Sequence, residues 1–156
     1  MTVADRLVAL LKAQGLTCAT AESCTGGGVG AAITAVPGAS EVFLGGVISY
    51  ATAVKQGVLG VSPTTLATVG AVSPETAAQM ADGARRLLKA DLAVSVTGIA
   101  GPDGGSAEKP VGLVWFGLAT AAGVRTERAI FAGDRAAVRA QAVTHALGML
   151  TAGAAE

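Results

Sequence analysis

The sequence predicts an α/β chain: a single three-layer α/β/α domain over residues 1–156, built on a mixed sheet. Three observations carry that reading. Helix-period apolar segments alternate with short β-branched runs, which is the order of a layered α/β fold. The last two strand-like runs follow each other directly through Thr120-Ala121-Ala122-Gly123, so they pair antiparallel and make the sheet mixed. The chain has 156 residues, 51% of them hydrophobic and 14% charged. Domains near 150 residues bury about 68–70% of their unfolded surface, enough for one core.

The elements follow in order. Thr2 caps a first helix with Asp5 in the capping-box position, Val3, Leu7, Leu10 and Leu11 keep helical spacing, and Gly15 ends it. Leu16–Ala21 is a strand that runs into Glu22-Ser23-Cys24-Thr25 and three glycines. A small-residue helix follows to about Ala35, stopped by Pro37-Gly38. Val42–Tyr50 is a strand and Ala53–Leu59 turns helically. Ser62-Pro63 and Ser73-Pro74 each place a cap before a proline at the first helical position. The second opens a helix to about Lys89, and Leu92–Val96 is a buried strand. Residues 97–106 form a glycine-rich loop, Val111–Ala119 and Val124–Phe131 form a hairpin, and Asp134 opens a last helix to about Leu150. The AGAAE tail is expected to fray. No linker, repeat or low-complexity tract divides the chain.

Composition excludes several function classes. Lys plus Arg and Asp plus Glu both number 11, so no basic excess exists to neutralise nucleic-acid phosphates. Cys18 and Cys24 with a single histidine make neither a disulfide framework nor a zinc set, which fits a reduced, cytoplasmic protein. No apolar run reaches membrane length, and the first helix carries Asp5 and Lys12, unlike a signal peptide. So few charges over so much surface point to a homo-oligomer, most simply a two-fold dimer.

Four stretches could carry chemistry. In AESCTGGG a serine at a strand end precedes a helix start, where free N–H groups suit an oxyanion or phosphate; Ser23 or Thr25 could equally be a plain cap. Gly26, Gly28 and Ala31 also fit a dinucleotide fingerprint, weakly, because four polar residues separate the strand from the first glycine. Lys55 lies five residues after Tyr50 in apolar surroundings and could be a desolvated base or a snorkelling surface lysine. The stretch TGIAGPDGGSAEKP could turn N–H groups onto a ligand or be a mobile loop. Its Ser106 and Lys109 match S-x-x-K, but Pro110 and the glycines argue against the helix that motif needs. Arg135 or Arg139, after Gly133-Asp134, could meet a phosphate or be solvated helix charges. His145 reads as a satisfied or exposed histidine.

Taken jointly, AESCTGG, SYATAVKQGVLGV and AVSVTGIAGPDGGSAEKPVGLVWFGLA resemble the CinA C-terminal-domain family in order and spacing. Its members are nicotinamide-nucleotide amidohydrolases, or nicotinamide mononucleotide deamidases. The resemblance spans the chain from the first helix to Gly133-Asp134-Arg135, and implies that this domain stands without the larger domain found in two-domain members. It implies hydrolysis of the carboxamide of nicotinamide mononucleotide, with no metal and no cofactor. Ser23 matches the family's nucleophile, Tyr50 and Lys55 its partner residues. Arg135 matches a basic substrate-binding position, and Thr25, Gly26, Gly27, Thr97, Gly98, Ala100, Gly101 and Gly104 are expected to bind the substrate with it. Ala51-Thr52-Ala53 departs from the family, which often carries Asn there. The rival reading is a nucleotide-binding module of the same fold without catalysis.

Overall fold

A computed structural model describes residues 1–156. In chain order it has α1 (Val3–Gln14), β1 (Cys18–Glu22), α2 (Gly28–Thr34), a 3₁₀ turn at Ala39–Glu41, β2 (Phe43–Ile48), α3 (Thr52–Gly57) and α4 (Pro63–Thr68). Then come α5 (Pro74–Leu88), β3 (Leu92–Gly98), β4 (Leu113–Thr120), β5 (Gly123–Ile130) and α6 (Arg135–Ala155). The five strands run in the order β2-β1-β3-β4-β5. β1 is parallel to both β2 and β3, while β4 is antiparallel to β3 and to β5, so the sheet is mixed as expected.

Local chemistry accounts for the ends of the elements. Thr2 and Asp5 exchange the two hydrogen bonds of a capping box, at 3.0 and 2.8 Å. Ser73 and Asp134 accept from Thr76 N and Ala137 N and so start α5 and α6. Ser62 precedes Pro63 but makes no side-chain cap.

Strand alternation builds two apolar layers. Leu92, Val94 and Val96 join the larger core with α1, α2 and α6, which holds Leu7, Leu11, Ile33, Val138 and Leu150. Ala19, Ala21 and Ala93 point to the other face and pack with Met80 and Ala84 of α5. Small residues there let α5 lie close: a Cβ on Gly117 would strike the Ala77 carbonyl.

Three expectations are corrected. β1 is shifted to Cys18–Glu22, because its carboxyl end pairs with Val96 and Ile48. The hairpin loop is only Ala121-Ala122, since Thr120 and Gly123 already pair. The AGAAE tail is helical to Ala155, with Gly153 and Ala154 buried. At Gly153 a Cβ would meet Leu118 and Leu92 side chains at 2.8 and 3.0 Å, so the absence of a side chain is what permits this packing.

Candidate active site

The parallel strands deliver several of the expected residues to one edge. Ser23 follows β1, Tyr50 lies two residues beyond β2, and Thr97 and Gly98 end β3. In open α/β sheets the crevice beyond the carboxyl ends of the strands is where ligands bind. Ser23 N donates to Val96 O at 2.9 Å, which extends the β1–β3 ladder by one residue and fixes the serine at that edge.

The turn after Ser23 is held from both sides. Gly26 and Gly27 take successive positive φ values of +58° and +101°, a path that residues with a Cβ rarely follow. Arg139 Nε and Nη2 donate to the Cys24 and Thr25 carbonyls at 3.0 and 3.2 Å. Beneath the turn lies Glu22, 2% exposed. Its Oε1 accepts from Thr25 Oγ1 at 2.6 Å and from Val29 N at 2.8 Å, and its Oε2 from Gly30 N at 3.0 Å. A carboxylate therefore occupies the N-terminus of α2, where the helix offers positive partial charge.

Sequence reasoning missed Glu22. The available signal was an acid directly before a glycine-rich helix start. Thr25 is spent on Glu22, Gly26 lies beside Arg139 and Gly27 beside Ile48, so these three shape the turn and do not line the cleft.

Lys55 comes from α3 and is 2% exposed. Its Nζ lies 3.0 Å from Ser23 Oγ and also donates to the carbonyls of Ser49 at 2.7 Å and Tyr50 at 3.1 Å. No carboxylate pairs with it. Burial lowers its pKa below the ordinary lysine value, because the charged form is the one that loses solvation. Burial has the opposite effect on the neighbouring thiol: Cys24 is pushed up to about 11, so it stays protonated at neutral pH beside Ser23.

The Tyr50 phenol does not bridge Lys55 and Ser23. It is turned outward, with the residue 63% exposed, and its Oη sits 3.4 Å from Arg135 Nη2. The tyrosine touches Lys55 only through its carbonyl, and Lys55 meets Ser23 directly. Arg135 Nη1 donates to Gly101 O at 2.7 Å, which ties α6 to the glycine loop. Of the two candidate arginines, Arg135 lines the cleft and Arg139 serves the turn.

Ser23, Lys55, Thr97, Gly98, Ala100 and Arg135 share one cleft of about 210 Å³. Ala71 and Val72, unexpected from sequence, also line it. Gly101 stands behind Arg135, and Gly104 is exposed outside the cleft. A larger groove of about 520 Å³ between α1, α2 and α6 is mainly apolar and holds no nucleophile–base pair. His145 is remote: it pairs with Glu127 at 3.1 Å and stacks on Phe116 at 4.2 Å. Ser106 and Lys109 close a turn, with Lys109 N donating to Ser106 Oγ at 3.1 Å. No three His, Cys, Asp or Glu side chains converge as a metal-ligand set, and no helix is long and apolar enough to cross a membrane.

The site thus sets a seryl hydroxyl against a desolvated lysine, and no histidine takes part in the contact. Here it is mounted at the strand ends of a mixed α/β/α sheet. The CinA C-terminal domain family model matches residues 1–153, and the chain belongs to that family.

It is 51% identical over 148 residues to the nicotinamide-nucleotide amidohydrolase PncC of Escherichia coli K12, covering 94% of this chain and 90% of that one. It is 55% identical over 135 residues to a CinA-like protein of Geobacter sp. M21, covering 86% of this chain and 33% of that one. The chain thus spans about a third of the length of the longer curated relatives it matches. A solved competence/damage inducible protein from Agrobacterium tumefaciens superposes with a TM-score of 0.94 at 45% identity, covering 96% of this chain and 92% of that one. A CinA superfamily protein from Klebsiella pneumoniae does so with 0.94 at 38% identity, covering 98% and 96%.

Proposed function

We propose that this chain is an amidase that hydrolyses the carboxamide of nicotinamide mononucleotide, giving nicotinate mononucleotide and ammonia. The observation that carries the mechanism is the 3.0 Å contact between Lys55 Nζ and Ser23 Oγ in a buried site. The kinship with a nicotinamide-nucleotide amidohydrolase over 94% of the chain supports the substrate.

Neutral Lys55 has two N–H groups and one lone pair. The Ser49 and Tyr50 carbonyls accept the two N–H groups, which leaves the lone pair for the Ser23 hydroxyl proton. Lys55 takes that proton as Ser23 Oγ attacks the carboxamide carbon. The oxygen of the tetrahedral intermediate needs a donor, and the N–H group of Cys24, which lines the cleft, donates to no carbonyl of the chain. Such backbone donors are each worth about 10²–10³ in rate. Lys55 then gives its proton to the leaving nitrogen, ammonia departs, and an acyl ester remains on Ser23. Water, losing a proton to the same lysine, attacks the ester and releases the carboxylate; that proton returns to Ser23 Oγ. Arg135 and the loop from Gly98 to Ser106 hold the phosphate, which supplies binding energy remote from the reacting carbon.

Ammonia release from nicotinamide mononucleotide tests the reading; tight binding without turnover would overturn it in favour of the non-catalytic module. We further infer one cytoplasmic domain that works as a homodimer. Supporting the dimer, edge strand β2 leaves Leu44 and Ile48 at 46% and 56% exposure.

A further inference from the structure

The segment 69–72, between α4 and α5, has three successive carbonyls taken by side chains. Val69 O accepts from Lys109 Nζ at 2.6 Å. Gly70 O accepts from Ser73 Oγ at 3.0 Å and Thr76 Oγ1 at 2.7 Å. Ala71 O accepts from Thr97 Oγ1 at 2.8 Å. Four side chains from three places in the chain thus set the orientation of consecutive peptide units. In a planar trans peptide the N–H points opposite to the C=O. The Ala71 and Val72 N–H groups therefore turn away from these side chains, and they donate to no carbonyl of the chain. Both residues line the cleft that contains Ser23 and Lys55.

Thr97 is the link between this segment and the sheet. It is 1% exposed, and its hydroxyl is committed to Ala71 O, so it is not a free ligand for substrate. We propose that Thr97 is a positioning residue: it holds the 69–72 segment as one wall of the substrate cleft, with the Ala71 and Val72 N–H groups directed to an oxygen of the substrate. Lys109 secures the same wall from the glycine loop. This rests on the cleft being the nicotinamide mononucleotide site.

The test separates binding from chemistry. Calorimetry with nicotinamide mononucleotide is run on Ser23→Ala protein, alone and with Thr97→Val or Thr97→Ser added. Valine keeps the shape and removes the donor; serine keeps the donor. Thr97→Val is expected to weaken Kd about tenfold, the order of one lost hydrogen bond, with Thr97→Ser close to the parent. In the active enzyme Thr97→Val should raise KM by a similar factor, leave kcat within about twofold, and leave the pH profile in place. Lys109→Met, at a half-buried site, should raise KM in the same direction. Parent-like Kd for Thr97→Val overturns the proposal, as does failure of serine to rescue. A moved pH midpoint would place Thr97 on the Lys55 pair instead, and also overturns it. If unmutated protein binds the nucleotide but releases no ammonia, the amidase reading fails while the Kd comparison still decides Thr97. If it does not bind, both fail.

Discussion

Lys55 Nζ and Ser23 Oγ are 3.0 Å apart although 32 residues separate them in sequence. The contact exists because β1 and β2 are parallel neighbours, so the residues after each strand emerge at the same edge. The lysine then reaches back under Tyr50 from the last turn of α3.

Replacing the proposed nucleophile should remove turnover. Ser23→Ala is expected to lower ammonia release by about 10⁴-fold or more, as removal of such groups does in other hydrolases, with the far-ultraviolet circular dichroism unchanged. Mass spectrometry of the quenched wild-type reaction should find the acyl group on Ser23. Near-wild-type release from the alanine variant would exclude this serine.

The proposed base predicts the pH dependence. Lys55 must be neutral to accept a proton, so kcat/KM should rise with pH to a midpoint below the ordinary lysine value of about 10.4. Lys55→Met should abolish this limb together with activity. Lys55→Arg should be as inactive, because a guanidinium does not deprotonate in this range. Full activity in either variant would reassign the base.

The same lysine links pH to stability. Its folded pKa is lowered, so over the window between that value and about 10.4 the unfolded chain binds the proton more readily. The cost of burying the charge is largest below the folded pKa and disappears as pH rises through the window. Lys55→Met should therefore be more stable than wild type near neutral pH, and the gap should narrow at higher pH. Urea melts at two pH values measure this; a gap that widened with pH would refute it.

Glu22 anchors the serine turn. A glutamine offers one acceptor oxygen where the carboxylate offers two, and its amide would face the Gly30 N–H. Leaving such a group unsatisfied costs about 1–3 kcal/mol. Glu22→Gln should lower Tm and reduce kcat more than it raises KM. An unchanged Tm would mean that the three hydrogen bonds contribute nothing.

Phosphate recognition and assembly are checked separately. Nicotinamide riboside should be a poorer substrate by about 10–100-fold, and Arg135→Ala should close that difference, since a charge-assisted hydrogen bond is worth about 1.5–3 kcal/mol. Light scattering should give about twice the 15.1 kDa chain mass; the monomer mass would refute the dimer.

Much of the fold was legible because its signals are local. Thr2 with Asp5, Ser73 with Pro74, and Asp134 mark helix starts within four residues. The end of α6 was not legible, because Gly153 and Ala154 are buried by tertiary fit and carry no periodic apolar signal. At the site, several of the expected residues line one cleft, but their hydrogen-bond partners were hidden. Nothing in the spacing of Thr97 and Ala71 announces a hydrogen bond across 26 residues. Thr25 reads as a ligand until Glu22 is seen beneath it. Likewise, only the packing of α6 on the turn distinguishes Arg139 from Arg135.

Adjacent residues of a strand face opposite sides of a sheet. Glu22 therefore points toward α2, and Ser23 toward α3 and Lys55, so fastening and chemistry occupy different layers of the molecule. Variation can then be introduced on one layer without loosening the other. A mutant library confined to α3 apart from Lys55, residues 69–72 and the 98–106 loop should broaden the amides accepted while the serine turn keeps its shape. The same library on α2 should chiefly yield unstable or inactive proteins.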